Sequence, residues 1–210
     1  MTRGLLAETL ERAGFEVATA SNGSDARRAC HLVDPDGVVL DIDLGLGPTG
    51  FDVADALLGE FPYLAVLFLT NLPDARFAGR SPQSLPDGVG YLRKERLVQP
   101  GLLVETLNAV LSGNTRPGHR DDRDPGRPLA QLSNVQISVL RMVALGMTNP
   151  QIAAARGTTA RAVADVLARA LQATGVPLDE DDSGRMQAAR TYMLAAGIPL
   201  GQRPPARSGG

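Results

Sequence analysis

The sequence has few of the residues that mark several large protein classes. Among 210 residues it has no tryptophan, one cysteine (Cys30) and two histidines (His31 and His119). One cysteine cannot form an internal disulfide, and two distant histidines suggest no metal cluster. No apolar run approaches the roughly 20 residues that cross a bilayer, and the N-terminus lacks a signal-peptide pattern. These absences favour a cytoplasmic protein with no membrane partner.

Lysine is nearly absent as well, and the charge is unevenly distributed. Lys94 is the single lysine among 21 basic residues. Residues 1–113 carry a net charge of −6 and residues 114–210 a net charge of +4. The hydrophobic share of 43% is ordinary for a folded protein. The length allows two modest domains, each with its own core.

A polar stretch separates these two parts of the chain. Residues 114–128 contain three prolines and no hydrophobic residue. Such a segment buries too little surface to offset its ordering entropy, which predicts a flexible linker. The sequence therefore predicts a first domain at 1–113 and a second at 129–198. The same reasoning predicts a disordered tail at 199–210.

The first domain alternates helical and extended patterns. Helices are predicted at 3–14, 24–33, 51–61 and 100–113, and strands at 15–20, 37–42, 64–70 and 88–92. Strands separated by helices predict an α/β fold with a doubly wound parallel sheet. The working residues of such sheets gather at the carboxyl ends of the strands.

Three polar residues occupy those predicted strand ends: Asp41, Thr70 and Lys94. A carboxylate can attack phosphorus, while an ammonium and a hydroxyl bind phosphoryl oxygens. Magnesium is expected to neutralise the crowded charge. Tyr91 is placed to swing inward or outward as Thr70 moves. Asp43 has two interpretations: it helps Asp41 to hold a cation, or it is a solvated loop acid.

The segments that carry these residues resemble a response-regulator receiver domain, which has a flavodoxin-like fold. "VVLDIDL" is similar to the strand of the phosphoacceptor aspartate, "VLFLT" to the strand of the switch threonine, and "GYLRK" to the strand of the invariant lysine. The resemblance covers roughly residues 3–113. It implies phosphorylation of Asp41 by a histidine kinase, with Mg²⁺ as cofactor and with Thr70 and Tyr91 as switch residues.

Two departures from the receiver pattern affect these expectations. The family begins with a strand ending in an acidic pair that binds magnesium, whereas Met1 leads directly into the first predicted helix. Either Met1 is an internal methionine and the native protein begins about ten residues earlier, or the receiver is degenerate and lacks its inner strand. Residues 71–87 are rich in Gly, Pro and Ser where the family has a helix. We expect the signalling face there to be altered or poorly ordered.

The Asp-Ile-Asp sequence also suggests a rival enzyme class. Haloacid-dehalogenase-type phosphatases use Asp-x-Asp, with the first acid as nucleophile and the second as acid and base. Their motif continues with threonine or valine, whereas Leu44, Gly45 and Leu46 follow here. They also need a later acidic pair at a strand end, but the acidic clusters at 121–124 and 179–182 lie in linker-like sequence. The pattern therefore favours a regulator over an enzyme.

The second domain has the pattern of a DNA-binding helix-turn-helix. Helices are predicted at 132–146, 148–157, 158–176 and 184–197. A short helix, a glycine turn and a longer helix can present the longer helix to the major groove. On "VLRMVALGMTNPQIA" and "TGV", residues 130–198 resemble the LuxR-type (NarL/FixJ-like) domain. The resemblance implies DNA as partner and a homodimer on DNA through the last helix. A four-helix bundle with no partner is the alternative.

The candidate DNA-contacting residues are fewer than the family pattern provides. Arg161 and Arg169 are basic, and Thr159 can offer its hydroxyl to a phosphate. Asp165 either accepts from a cytosine amino group or repels the DNA backbone. We expect modest affinity that depends on dimerisation.

Together these patterns indicate a DNA-binding transcriptional response regulator of a two-component phosphorelay. The alternative is a degenerate receiver that acts as a phosphorylation-independent regulator or interaction module.

Overall fold

The helices and strands of the first half form largely where the apolar pattern predicts them. The computed structural model describes residues 3–43, 48–175 and 184–198. The chain divides into two compact units, Met1–Arg127 and Pro128–Gly210, called here the first and second unit. The first unit contains helices α1 (Arg3–Arg12), α2 (Gly23–Val33), α3 (Gly50–Glu60) and α4 (Leu102–Leu111). Its strands are β1 (Gly37–Leu40), β2 (Ala65–Thr70) and β3 (Gly90–Arg93).

These strands form a parallel sheet in the order β1-β2-β3. Alternate residues of β2 face opposite sides of the sheet. Val66 and Phe68 pack in a buried cluster with residues of α2 and α3, whereas Leu67 and Leu69 pack with residues of α1 and α4. Helices therefore cover both faces, and the predicted α/β class is confirmed. Because the strands are parallel, their carboxyl ends lie at one edge of the sheet.

The strand predicted at 15–20 is not formed. This segment pairs with none of the three strands, although its residues alternate in polarity. Phe15 and Val17 instead pack against the cluster on the α1 and α4 side of the sheet. Alternation shows only that one side of a segment can be buried, whereas a strand also needs a neighbour for its backbone hydrogen bonds.

The two polar segments predicted as irregular or flexible are folded on the first unit. Residues 71–87 form short 3₁₀ turns at Ala75–Ala78 and Pro82–Ser84, which bury Phe77. The predicted linker 114–128 forms 3₁₀ turns at Pro117–His119 and Asp121–Arg123. Residues 119–122 are buried. The prediction of a solvated linker is wrong for these residues, because their charges are paired: Arg120 with Asp122, and Asp121 with Arg96.

The second unit is a bundle of four helices at the predicted places: α5 (Asn134–Ala144), α6 (Asn149–Arg156), α7 (Ala160–Thr174) and α8 (Gly184–Ala195). The fully buried side chains include Ile137 and Leu140 of α5 and Ile152 of α6. Gly157 ends α6 with a φ of 62°, a left-handed conformation that favours glycine. Among the described residues, no helix is long and apolar enough to cross a membrane. The predicted tail at 199–210 lies outside the described residues.

Candidate functional site

Asp41 and Lys94 meet at the carboxyl edge of the sheet. Asp41 directly follows β1 and Lys94 directly follows β3. Lys94 Nζ donates to Asp41 Oδ2 in an ion pair, and the backbone N–H of Asp43 donates to Asp41 Oδ1 at 3.2 Å. The side chains of Asp41 and Lys94 are 32% and 24% exposed. A reactant from solvent can therefore reach a carboxylate that is already held by a cation.

Thr70 and Tyr91 lie beside this edge and are joined through one loop residue. Both side chains are fully buried. Thr70 Oγ1 accepts from the backbone N–H of Leu72 at 3.2 Å, and the Tyr91 hydroxyl donates to the Leu72 carbonyl at 3.0 Å. Burial, together with the carboxylates of Asp122 and Asp74, raises the pKa of Tyr91 well above its ordinary value, so the hydroxyl keeps its proton. Tyr91 is thus held inward while Thr70 is bonded to Leu72.

The start of α3 is fixed against Asp41 by a residue that the sequence analysis missed. The Gly50 N–H donates to the Ile42 carbonyl at 2.9 Å. A Cβ atom at Gly50 would lie 2.0 Å from the Asp41 carbonyl oxygen. Thr49 caps the helix, and its backbone N–H donates to Asp52 at 2.7 Å. The close approach needs glycine, but a glycine after Pro-Thr has no sequence feature that distinguishes it from a loop glycine.

Receiver domains generally use Mg²⁺, and the described residues supply only part of a site for it. They contain no group of three or more His, Cys, Asp or Glu side chains able to hold a metal. Asp41 and Asp43 are the acids at this edge, and one oxygen of Asp41 is engaged by Lys94. Mg²⁺ prefers six oxygen ligands, several of them water, in near-ideal octahedral geometry. Asp41 and Asp43 could therefore hold the ion only together with water and a phosphoryl group as its other ligands.

A buried ion cluster next to the edge was also missed. Asp74, which is fully buried, accepts from Arg76 Nε at 2.9 Å and from Arg127 Nε at 2.7 Å. Burial acts to raise the pKa of Asp74, but the hydrogen bonds from Arg76 and Arg127 outweigh it, and the net pKa is lowered. Because Arg127 is 53 residues away, no local pattern indicates this pairing.

The predicted DNA-facing residues are brought together on α7. Thr159 caps the helix, and its Oγ1 accepts from the Ala162 N–H at 3.1 Å, so its hydroxyl hydrogen can point outward. Arg161, Asp165 and Arg169 are exposed. Arg169 Nε donates to the Asp165 carbonyl at 3.2 Å. The opposite side of α7 is buried in the bundle, so these residues form one solvent-facing row.

Arg156, the residue before the turn glycine Gly157, contributes to the bundle. Its Nη1 donates to Ser138 Oγ of α5 at 2.9 Å. This bond joins α5 to the end of α6. Arg156 therefore has a structural role within the bundle.

Comparisons with known proteins give several relatives that match part of the chain. No family model matches the chain. It is 31% identical to the fimbriae Z protein of Salmonella typhimurium, over 56% of the chain and 58% of that protein. It is 29% identical to a nitrate/nitrite response regulator homologue of Haemophilus influenzae, over 67% of the chain and 68% of the relative. It is also 29% identical to BvgA, a virulence-factor transcription regulator of Bordetella pertussis, over 78% of the chain and 80% of the relative.

A solved structure shares the fold. The structure of the two-component response regulator RcsB in complex with DNA aligns with a TM-score of 0.54 and 18% identity, over 91% of this chain and 92% of that one. At that identity the likeness supports the fold alone.

The fold and the polar residues at the carboxyl edge of the sheet define the class of protein. It consists of an α/β receiver-like unit followed by a helix-turn-helix unit. In sequence, the chain is similar to proteins named as response regulators and transcription regulators. The names of these relatives are those of regulators, so the comparisons give the phosphatase alternative no support. The match to the first relative covers only 58% of that protein.

Proposed function

We propose that the chain is a DNA-binding transcriptional regulator switched by phosphorylation of Asp41, with a histidine kinase as donor and the cytoplasm as location. The observation that carries this proposal is the Lys94–Asp41 ion pair at the carboxyl edge of the sheet. A partly exposed carboxylate held by the only lysine of the chain is a suitable acceptor for a phosphoryl group.

The transfer needs few groups of the protein. A carboxylate oxygen of Asp41 attacks phosphorus, the P–N bond of the donor phosphohistidine breaks, and the imidazole leaves and takes a proton from solvent. Lys94 then pairs with a phosphoryl oxygen in place of the carboxylate. Thr70 can donate its hydroxyl hydrogen to another phosphoryl oxygen by turning away from Leu72.

The second unit supplies the output. The row of Thr159, Arg161, Asp165 and Arg169 faces solvent and carries the groups that contact phosphates and base edges. Met186 and Leu194 of α8 are 61% and 59% exposed. We assign this apolar surface to a second copy of the chain, which would form a homodimer on DNA.

A second candidate is regulation without phosphorylation. It is favoured by the absence of a group of three metal-binding side chains among the described residues. In that case the Lys94–Asp41 pair is structural and the first unit acts as an interaction module.

Labelling at Asp41 separates the two candidates. We expect the chain to form an acyl phosphate with acetyl phosphate and Mg²⁺, detected as a mass increase that hydroxylamine removes. Asp41→Asn should abolish the product, because an amide is not a nucleophile at this oxygen. Asp87→Asn changes an exposed acid that precedes β3; it is the matched control and should still be labelled. Absence of label from all three proteins would support the phosphorylation-independent candidate.

The DNA proposal predicts a change in salt dependence. Arg169→Gln should weaken binding to duplex DNA and reduce the slope of log K against log salt by about 1, because one phosphate contact is lost. Fluorescence anisotropy with a labelled duplex over a salt series measures this slope. Arg28→Gln removes the same charge from an exposed position of α2 and should leave the slope unchanged. Equal slopes for wild type and Arg169→Gln would contradict the assignment of α7.

A further inference from the structure

Residues 116–127, called here the strap, bury charged and polar side chains and contain no hydrophobic residue. His119, Arg120, Asp121 and Asp122 have relative exposures of only 2–7%. Burial of charge is costly unless each group is paired. The contacts of these residues therefore show what holds the strap in place.

One end of the strap is bound to β3 and to the loop that follows it. The backbone N–H of Arg93 donates to Asp121 Oδ2 at 2.7 Å, and Arg96 forms an ion pair with the same carboxylate. Arg120 forms a parallel backbone bridge with Tyr91. The strap therefore covers the edge of β3 and contacts residues on both sides of Lys94.

The other end is bound to the loop that follows β2. Arg127 Nε donates to Asp74 Oδ2 at 2.7 Å. Asp74 is four residues after Thr70 and two after Leu72. The strap thus contacts the two loops that extend from Thr70 and from Lys94.

A short series of hydrogen bonds joins the Thr70 hydroxyl to the strap. Thr70 accepts from Leu72 N–H, and Tyr91 donates to the Leu72 carbonyl. Tyr91 bridges to Arg120 through its backbone, and Asp74 binds Arg127. If Thr70 turns toward Asp41, Leu72 loses its acceptor, and the loop that carries Asp74 changes shape.

We propose that the strap is a releasable connection, in which docking of residues 116–127 is coupled to the position of the Thr70 hydroxyl. The biological role of this coupling rests on the proposed function, because phosphorylation of Asp41 would be the event that turns Thr70. Turning Thr70 toward Asp41 loosens the Leu72–Asp74 loop and releases the strap. Release adds 12 residues to the tether of the second unit, with a reach of up to roughly 40 Å. A longer tether changes the effective concentration of the second unit near any partner.

A double-mutant cycle in the full chain tests the coupling. The readout is hydrogen exchange of the Arg123 and Asp124 amides, which are bonded within the strap at 2.9 and 3.2 Å. Arg127→Gln removes the anchor and Thr70→Val removes the acceptor of Leu72. Each should raise exchange of these amides by about tenfold or more. The double variant should exchange no faster than about the larger single effect, because both remove one cooperative connection.

Two further variants keep the result interpretable. Arg123→Gln, in the strap but 58% exposed, is the matched control and should leave the exchange of the Asp124 amide unchanged relative to its intrinsic rate. Tyr91→Phe breaks the same loop by another route and replaces Thr70→Val if that variant fails to fold. Unchanged exchange in both Thr70→Val and Tyr91→Phe, or single effects that multiply in the double variant, would overturn the proposal.

This cycle is independent of DNA and of phosphorylation. If the double variant shows coupling but the chain binds no DNA, the proposed function is refuted and the proposed coupling of the strap is not. If the single effects multiply in a chain that binds DNA and is labelled at Asp41, the proposed coupling of the strap is refuted and the proposed function is not.

Discussion

Asp74→Ala is expected to destabilise the first unit by about 3–5 kcal/mol, because it removes the carboxylate that two buried guanidinium groups share. The side chain of Asp74 is fully buried, and those of Arg76 and Arg127 are 5% and 15% exposed. The variant also removes the acceptor of the Arg76 N–H at 2.9 Å. Urea unfolding followed by resolved amide signals of β2 and β3 measures the loss.

Asp55→Ala is the matched control for this effect. Asp55 pairs with Arg80, but its side chain is 51% exposed, so its loss should cost about 1 kcal/mol or less. Similar losses for the two variants would show that burial of Asp74 adds nothing to its pairing.

Acid gives a second check on Asp74, with a defined sign. Its pKa in the folded protein is lowered, so its contribution is fully present above the unfolded pKa of about 3.9 and is lost as pH falls through the lower folded value. Asp74→Asn mimics the protonated acid. The stability difference between wild type and Asp74→Asn should therefore stay constant from neutral pH to about 4 and shrink only below it.

The sheet and its edge could be predicted because their signals are local. In β2, the run of Val66, Leu67, Phe68 and Leu69 is apolar on both faces, as a strand covered by helices must be. The polar residues Asp41, Thr70 and Lys94 end three such runs. Parallel pairing then brings Asp41 and Lys94 together without further information.

The failed strand and the strap share one cause, since both depend on partners that are distant in sequence. Residues 15–20 carry the pattern of a strand but pair with none of the three strands. The strap has the composition of a linker, but it forms ion pairs with Asp74 and Arg96 and accepts a hydrogen bond from the backbone of Arg93. From composition alone, each charged residue is expected to be costly to bury. Whether it finds an oppositely charged partner is decided only when the chain folds.

Gly50→Ala is expected to destabilise the first unit by about 2–3 kcal/mol and to displace Asp41. Its Cβ would lie 2.0 Å from the Asp41 carbonyl oxygen and 2.9 Å from Ile42 Cα. Both are backbone atoms, so no side-chain rotation relieves the overlap. Either α3 moves outward or the residues after β1 shift, and either movement alters the contact between Asp41 and Lys94.

The single lysine of the chain gives this prediction a direct readout. Lysine labelled with ¹⁵N yields one Nζ signal, that of Lys94, whose position reports its ion pair with Asp41. Gly50→Ala should shift that signal. Gly59→Ala lies in the same helix with open space around its added Cβ, so it should leave the signal in place and stabilise the protein by up to about 1 kcal/mol. An unshifted signal in Gly50→Ala would mean that the start of α3 does not position the carboxylate. The Lys94–Asp41 contact would then be set by the strand ends alone.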